Sequence, residues 1–385
     1  MQDLKDKPIN RSFDHYLLVV ILFYILMVFM YGIINYNIPP YNQWDLMHYL
    51  NMSSFNQVNT TDIEAPFCFR ILGPYLSKIS ANMIGSNIHA FRFLTILVGF
   101  CCVLLSYYFF IFMKIKPIIS MVSTLMFMFN KYYFGFVIWN YFQLNCLLSM
   151  CCLIILFWSM YKNQWLIYGI TFVIGCLSRE TVIIILPVTL CYLIEKKASL
   201  LKIKCFFYSI LPGIVCFIWI RLTIESVNDY QFLASFGDKM MLKMSLEAWM
   251  RKILLSVFPL SFIWILCIKD SIDYLREKRY IIIYILLVLF STMFGLNHER
   301  LMNPMFIVFY WFLAVILQKY NIISFSKILL LLSIGFLSSF HHEMGRFIFF
   351  GRDVYIYSVI FFTFIITFLF YYWRHNKVLN LTLFK

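Results

Sequence analysis

Of the chain's 385 residues, 62% are hydrophobic, 20% aromatic and only 13% charged, a balance that excludes a soluble globular domain and defines an all-α polytopic membrane protein. The formal charge of +14 does not point to nucleic acid, because Lys and Arg are scattered between apolar stretches rather than gathered into one basic module. All 11 cysteines except Cys68 lie within apolar runs and none shows a CxxC spacing, which argues against a disulfide scaffold and leaves them as small hydrophobes.

Read in chain order, the first apolar stretch, Tyr16 to Asn35, follows a polar start and lacks a small-residue cleavage site, so it reads as a retained anchor. Hydropathy and helix breakers then predict further spans near residues 90–113, 117–129, 136–158, 165–177, 182–194, 205–224, 253–268, 280–296, 304–318, 328–340 and 354–373. With the first, these make about twelve crossings of a single transmembrane domain, residues 1–385, some of them short or re-entrant. Placing both termini in the cytoplasm puts 19 of the 32 basic residues on the inside, as the positive-inside rule favours. Two sizeable connections then lie outside, residues 37–89 and residues 225–252, and both are expected to carry interfacial or surface helices.

This topology sends four polar pieces of chain to the outer side, the first of which, residues 37–89, carries two motifs. In NQWDLMHYL, Asp45 precedes His48 and Tyr49, which lie on one face of a short helix. A carboxylate with an orienting neighbour suits general-base chemistry, although a helix cap has the same appearance. APFCFRILGPYL sets Arg70 among apolar residues, as in an interfacial helix whose Arg reaches phosphate or lipid headgroups. In CLSRETVIIILP, Arg179 and Glu180 fall at a turn between two spans of about thirteen residues. Such a turn sits below the membrane surface, where charges survive only against a wet cavity or inside protein. The pair reads either as an Arg–Glu tie between two short helices or as a ligand contact.

GLNHERLMNP contributes His298, Glu299 and Arg300, and HHEMGRFIFFGRD contributes His341, Glu343 and Arg346. No HExxH spacing is present and the adjacent histidines do not share a helix face, so no metal site and no cofactor is expected; a divalent ion is not indicated. Arginines and histidines around a wet pocket suit a phosphate or diphosphate. The aromatic stretch KYYFGFVIWNYF, residues 131–142, is expected as a surface along which a lipid-linked substrate enters.

Trp44, Asp45 and Tyr49, then Pro66, Phe67, Arg70, Leu72, Pro74 and Leu76, then Arg179, Glu180 and Thr181 together resemble the polytopic glycosyltransferases of the GT-C superfamily. The resemblance implies a helical bundle whose first extracytoplasmic loop carries the catalytic acid, here Asp45. It implies transfer of a sugar from a polyprenyl-phosphate carrier to a glycan or lipid acceptor at the outer face of a bacterial inner membrane, for an envelope glycan such as lipopolysaccharide. Many members carry a paired acid in this loop, whereas here Leu46 follows Asp45 and the next acids are Asp62 and Glu64. On this reading Arg70, Arg179, Arg300 and Arg346, with His298 and His341, take the donor phosphate, and His48, Tyr49, Glu180, Glu299 and Glu343 support them. The partners are the lipid-linked sugar, its acceptor and membrane lipids, with no nucleic acid. A surface-polysaccharide polymerase and a secondary transporter remain the alternatives.

Overall fold

The computed structural model describes residues 14–37, 46–54, 63–225, 246–294, 298–340 and 351–383. Among the described residues the regular elements are helical, with no strand. That follows from sequence: uncharged runs in a lipid environment have no water to satisfy backbone N–H and C=O groups, so the chain satisfies them within each helix.

Helix α1 spans His15–Tyr31, with Asp14 accepting from the Tyr16 and Leu17 amides at 3.2 and 3.4 Å. Helices α2 (Leu46–Ser54) and α3 (Leu72–Ile84) come from the first long connection. Then follow α4 (Asn87–Phe112), α5 (Pro117–Met128), α6 (Phe136–Trp139), α7 (Leu144–Lys162), α8 (Trp165–Ser178), α9 (Ile185–Glu195) and α10 (Leu200–Thr223). The second half comprises α11 (Leu246–Ser256), α12 (Ile263–Leu266), α13 (Ile268–Glu277), α14 (Arg279–Ser291), α15 (His298–Leu301), α16 (Phe306–Lys319), α17 (Phe325–Ser338) and α18 (Gly351–Leu383).

Among the described residues, four helical segments are long and apolar enough to cross a membrane: Asn87–Phe112, Tyr141–Lys162, Leu200–Thr223 and Ile356–His375. A bent pair, Pro117–Met128 with Lys131–Trp139, makes a fifth. The other expected spans are shorter apolar helices or broken ones. The stretch 136–158 is not one helix: α6 ends at Asn140, a turn runs through Tyr141–Gln143, and α7 carries the crossing. The stretch 253–268 breaks into the end of α11, an irregular segment and the four-residue α12. Within the expected outer connection 225–252, residues 226–245 lie outside the described set, and α11 begins at Leu246.

The aromatic stretch 131–142 is a correction. Tyr133, Phe134, Val137 and Phe142 are fully buried, and the chain bends by 64° beside them, so this segment fills the interior of the bundle. Asn130 makes the bend possible by accepting from the Tyr132 and Tyr133 amides at 2.9 and 2.8 Å while donating to the Ser256 carbonyl at 2.9 Å. Composition made this stretch look like a surface; the buried amide that turns it is what makes it core.

The bundle has two chemically distinct ends. At one, Tyr107 donates to Asp14 at 2.6 Å, Gln318 accepts from the Lys116 amide at 2.9 Å, the Lys162 ammonium lies over Phe112 and Trp158, and Lys319 pairs with Asp270. At the other, α2 and α3 meet the turn between α8 and α9 and the far end of α10. Between the ends α8 crosses α10 so closely that a Cβ on Gly169 would stand 2.5 Å from the Ser209 carbonyl oxygen. Glycine is what permits that approach.

Candidate active site

The site begins at the start of α2. His48 stacks on Phe67, with centroids 4.7 Å apart and rings within 9° of parallel, and Tyr49 meets the same ring edge-on at 6.0 Å. Both residues therefore turn toward Phe67, while their expected alignment with Asp45 lies outside the described residues. Asp45 lies outside the described residues, directly before the first residue of α2.

Phe67–Phe69 form a single 3-10 turn, and Arg70 leaves it with a non-helical backbone, its amide donating to the Phe67 carbonyl at 3.0 Å. Asn145, near the start of α7, then brackets the chain: its Nδ2 donates to the Arg70 carbonyl at 3.1 Å and its Oδ1 accepts from the Gly73 amide at 2.9 Å. A Cβ on Gly73 would stand 2.6 Å from that Oδ1, so the bracket requires glycine. The expected interfacial helix is thus shorter than its sequence suggests, beginning at Leu72, and Arg70 is 7% exposed rather than reaching lipid headgroups.

Arg70 is held from two sides. Its Nε donates to Glu180 Oε2 at 3.0 Å, its Nη2 pairs with Glu180 Oε1, and its Nη1 donates to Tyr49 at 3.4 Å. This forked geometry matches guanidinium to carboxylate. It also corrects the expected tie between neighbours: Glu180 takes its partner from the first loop, 110 residues away, and not from Arg179. Burial alone would raise the Glu180 carboxyl, but the Arg70 guanidinium beside it, with Arg179 nearby, holds it down to about 2. Arg70 is correspondingly kept charged: desolvation opposes its charge, and Glu180 and Tyr49 together outweigh it.

Arg179 sits in extended backbone between α8 and α9 and is 2% exposed. Its Nη1 donates to Cys146 Sγ at 2.8 Å, and that thiol donates to Gln143 Oε1 at 3.2 Å. Its Nε has no partner. A buried guanidinium whose Nε has no partner keeps donor capacity for an anion. A further cation was missed from sequence. Arg221, in the last turn of α10, lies 3.4 Å over the Phe217 ring and 4.9 Å from the Phe69 ring. Its signal was a lone cation one helical turn from an aromatic at the outer end of a span, where the positive-inside rule gives no reason for one. Asn145 was missed because it lies inside an apolar run.

The other expected residues do not join this cluster in the described part of the structure. Arg300 is half-buried on α15, which packs against α11 and the Lys131–Gly135 turn. His298 and Glu299 belong to the same short helix, and their side chains lie outside the description. His341, Glu343 and Arg346 lie outside the described residues altogether.

Fold and site together define a helical, multi-pass membrane protein with a cationic cluster at one end. Residues 66–220, 155 of the 385, match the family model described as dolichyl-phosphate-mannose-protein mannosyltransferase. That family belongs to the GT-C superfamily, so the likeness read from the motifs is found independently over this segment. The match supports a membrane glycosyltransferase that depends on a polyprenyl-phosphate sugar. It contains Arg70, Asn145, Arg179 and Glu180, begins after Asp45, and stops one residue before Arg221. No curated protein and no solved structure matches the chain.

Proposed function

We propose that this protein transfers a hexose from a polyprenyl-phosphate or polyprenyl-diphosphate donor to a glycan or lipid acceptor at the extracytoplasmic face of a bacterial inner membrane, in the assembly of an envelope polysaccharide such as lipopolysaccharide. Asp45 is the general base. It takes the proton of the acceptor hydroxyl as that oxygen bonds to the anomeric carbon; the bond from this carbon to the phosphate oxygen breaks, and the configuration inverts. The leaving phosphate gathers charge, which fixed guanidinium and imidazole groups stabilise without reorganising. Arg179, Arg300, Arg346, His298 and His341 are the groups assigned to it, and no metal is assigned a part. Arg70 has its donors engaged with Glu180 and Tyr49, so it acts as the strut that holds the base-bearing helix against the phosphate side.

The observation that carries this reading is the link through Arg70. One guanidinium joins Tyr49, four residues after Asp45, to Glu180, the neighbour of Arg179. A base and a phosphate-binding group must lie on opposite sides of one reacting carbon, and the link holds their two segments against each other.

The test is transfer of labelled sugar from polyprenyl-phosphate donors to endogenous acceptor in membranes containing wild type or Asp45→Asn, with both proteins checked for monodisperse behaviour in detergent. A folded Asp45→Asn protein is expected to lose roughly 10²- to 10⁴-fold of the activity. Full activity in that variant removes Asp45 as base, and absence of transfer from every such donor in wild type overturns the function.

A further inference from the structure

Among the described residues the cluster holds three guanidiniums, Arg70, Arg179 and Arg221, against one carboxylate, Glu180, whose ion pair there is with Arg70. Arg179 is buried behind it. Arg221 differs from both. It is half-buried, and its Nη1 donates to the Phe217 carbonyl one turn back at 3.2 Å. No ion pair with a carboxylate is formed by it among the described residues. Two aromatic rings, one from α10 and one from the Phe67–Phe69 turn, hold its guanidinium plane in place. A freely snorkelling arginine has no need of such a mount, whereas a receptor for an anion gains from one because the donors are oriented in advance.

The surroundings say what kind of anion arrives. Leu211, Val215, Ile218 and Leu222 recur at spacings of four, three and four, and each is at least half exposed. They form one continuous apolar row on the outer face of α10, covering about 16 Å of helix. Arg221, four residues after Phe217, borders this row on the side that meets Phe69, where α10 adjoins the Arg70–Glu180 pair. A charged head and an apolar tail are thus offered adjoining surfaces in the order that leads from bilayer to site.

We propose that Arg221, clamped between Phe69 and Phe217, receives the phosphate of the polyprenyl-phosphate sugar as it comes in from the bilayer, with the polyprenyl chain lying along the exposed row of α10. The identity of the lipid rests on the transferase reading above. Arg221 acts first on the phosphate, and Arg179, deeper in the protein, receives the charge that develops there when the sugar departs.

The experiment uses the full chain in phosphatidylcholine nanodiscs with a diazirine-bearing decaprenyl phosphate, followed by peptide mapping. Labelling is expected on the Leu200–Thr223 segment, falling about tenfold in Arg221→Gln, the loss expected for one charge-assisted contact. It is expected to return in part in Arg221→Lys and to stay at the wild-type level in Lys162→Gln, whose cation lies over rings at the opposite end of the bundle. In transfer assays Arg221→Gln should raise KM for the lipid donor and leave KM for the acceptor unchanged. Equal labelling of Arg221→Gln and wild type overturns the proposal, and so does equal displacement of the probe by phosphatidylglycerol, which would make Arg221 a general headgroup anchor. If wild type transfers sugar while labelling ignores Arg221, this inference fails and the transferase reading stands. If labelling depends on Arg221 and no donor is ever turned over, the lipid site stands and the transferase reading fails.

Discussion

Each end of the bundle holds a carboxylate paired with a cation and a tyrosine bonded to one of the two, and the two ends use that arrangement differently. At one end Asp270 pairs with Lys319 and accepts from Tyr320 at 2.6 Å, while neighbouring Arg374 donates to the Leu266 carbonyl. Lys319 is 52% exposed and Asp270 6%, so the pair sits at the rim, where solvent reaches the ammonium. At the other end Glu180 pairs with Arg70 and through it with Tyr49, but Arg179 and Arg221 remain beside them with donors to spare. A pair with its cation in solvent closes a structure; cations held inside the protein beside a carboxylate that is already paired suit an anion.

Mutations can break this contrast, and the largest effect belongs to Arg70. Arg70→Ala leaves the partly exposed Glu180 without its partner and is expected to destabilise by about 2–4 kcal/mol, below the full cost of an unpaired buried charge because 31% of the Glu180 side chain is exposed, read as a fall in the thermal midpoint in detergent, with sugar transfer abolished. A smaller effect is expected at the bracket. Asn145→Ala unpairs the Arg70 carbonyl and the Gly73 amide, at a cost of about 1–3 kcal/mol, and Gly73→Ala should reach a similar loss by steric collision. A bracket whose removal leaves donor KM and kcat unchanged would show that Arg70 is positioned without it. At the other end, Lys319→Ala should cost about 1 kcal/mol, because its ammonium is half exposed and the buried Asp270 keeps Tyr320 and Arg374, and transfer should be unaffected.

The smallest expected effect is that of mild acid. The Glu180 carboxyl is held below its ordinary value of 4.5, at about 2. A depressed carboxyl contributes stability that is complete above its unfolded value and is lost as pH falls from there toward the folded one. The contribution of this pair to the thermal midpoint should therefore be flat from pH 8 to 5 and decline only below about 4.5. A decline that began near neutrality would mean that Glu180 is not paired in solution.

Much of this was legible in the sequence where local rules apply. Apolar runs gave the helices, the short spans around Arg179 gave a buried turn, and the spacing after Asp45 gave the shared face of His48 and Tyr49. What escaped depends on partners distant in sequence. Nothing near Glu180 announces that Arg70 will take it instead of Arg179, because the choice is made by how α3 packs on α7. The stretch 131–142 was misread for a related reason: composition reports hydrophobicity but not whether lipid or protein surrounds it. The asparagine that turns the chain there is one polar residue among many aromatics.

Asn145 holds the first loop by two main-chain atoms, the Arg70 carbonyl and the Gly73 amide, and touches no side chain in doing so. Its grip is indifferent to what residues 71 and 72 are. Those two positions can exchange one apolar side chain for another, Ile71 against the core included, while the guanidinium beside them stays in register, and residue 73 is forbidden a side chain. A loop registered in this way can vary its side chains without moving the Arg70–Glu180 pair.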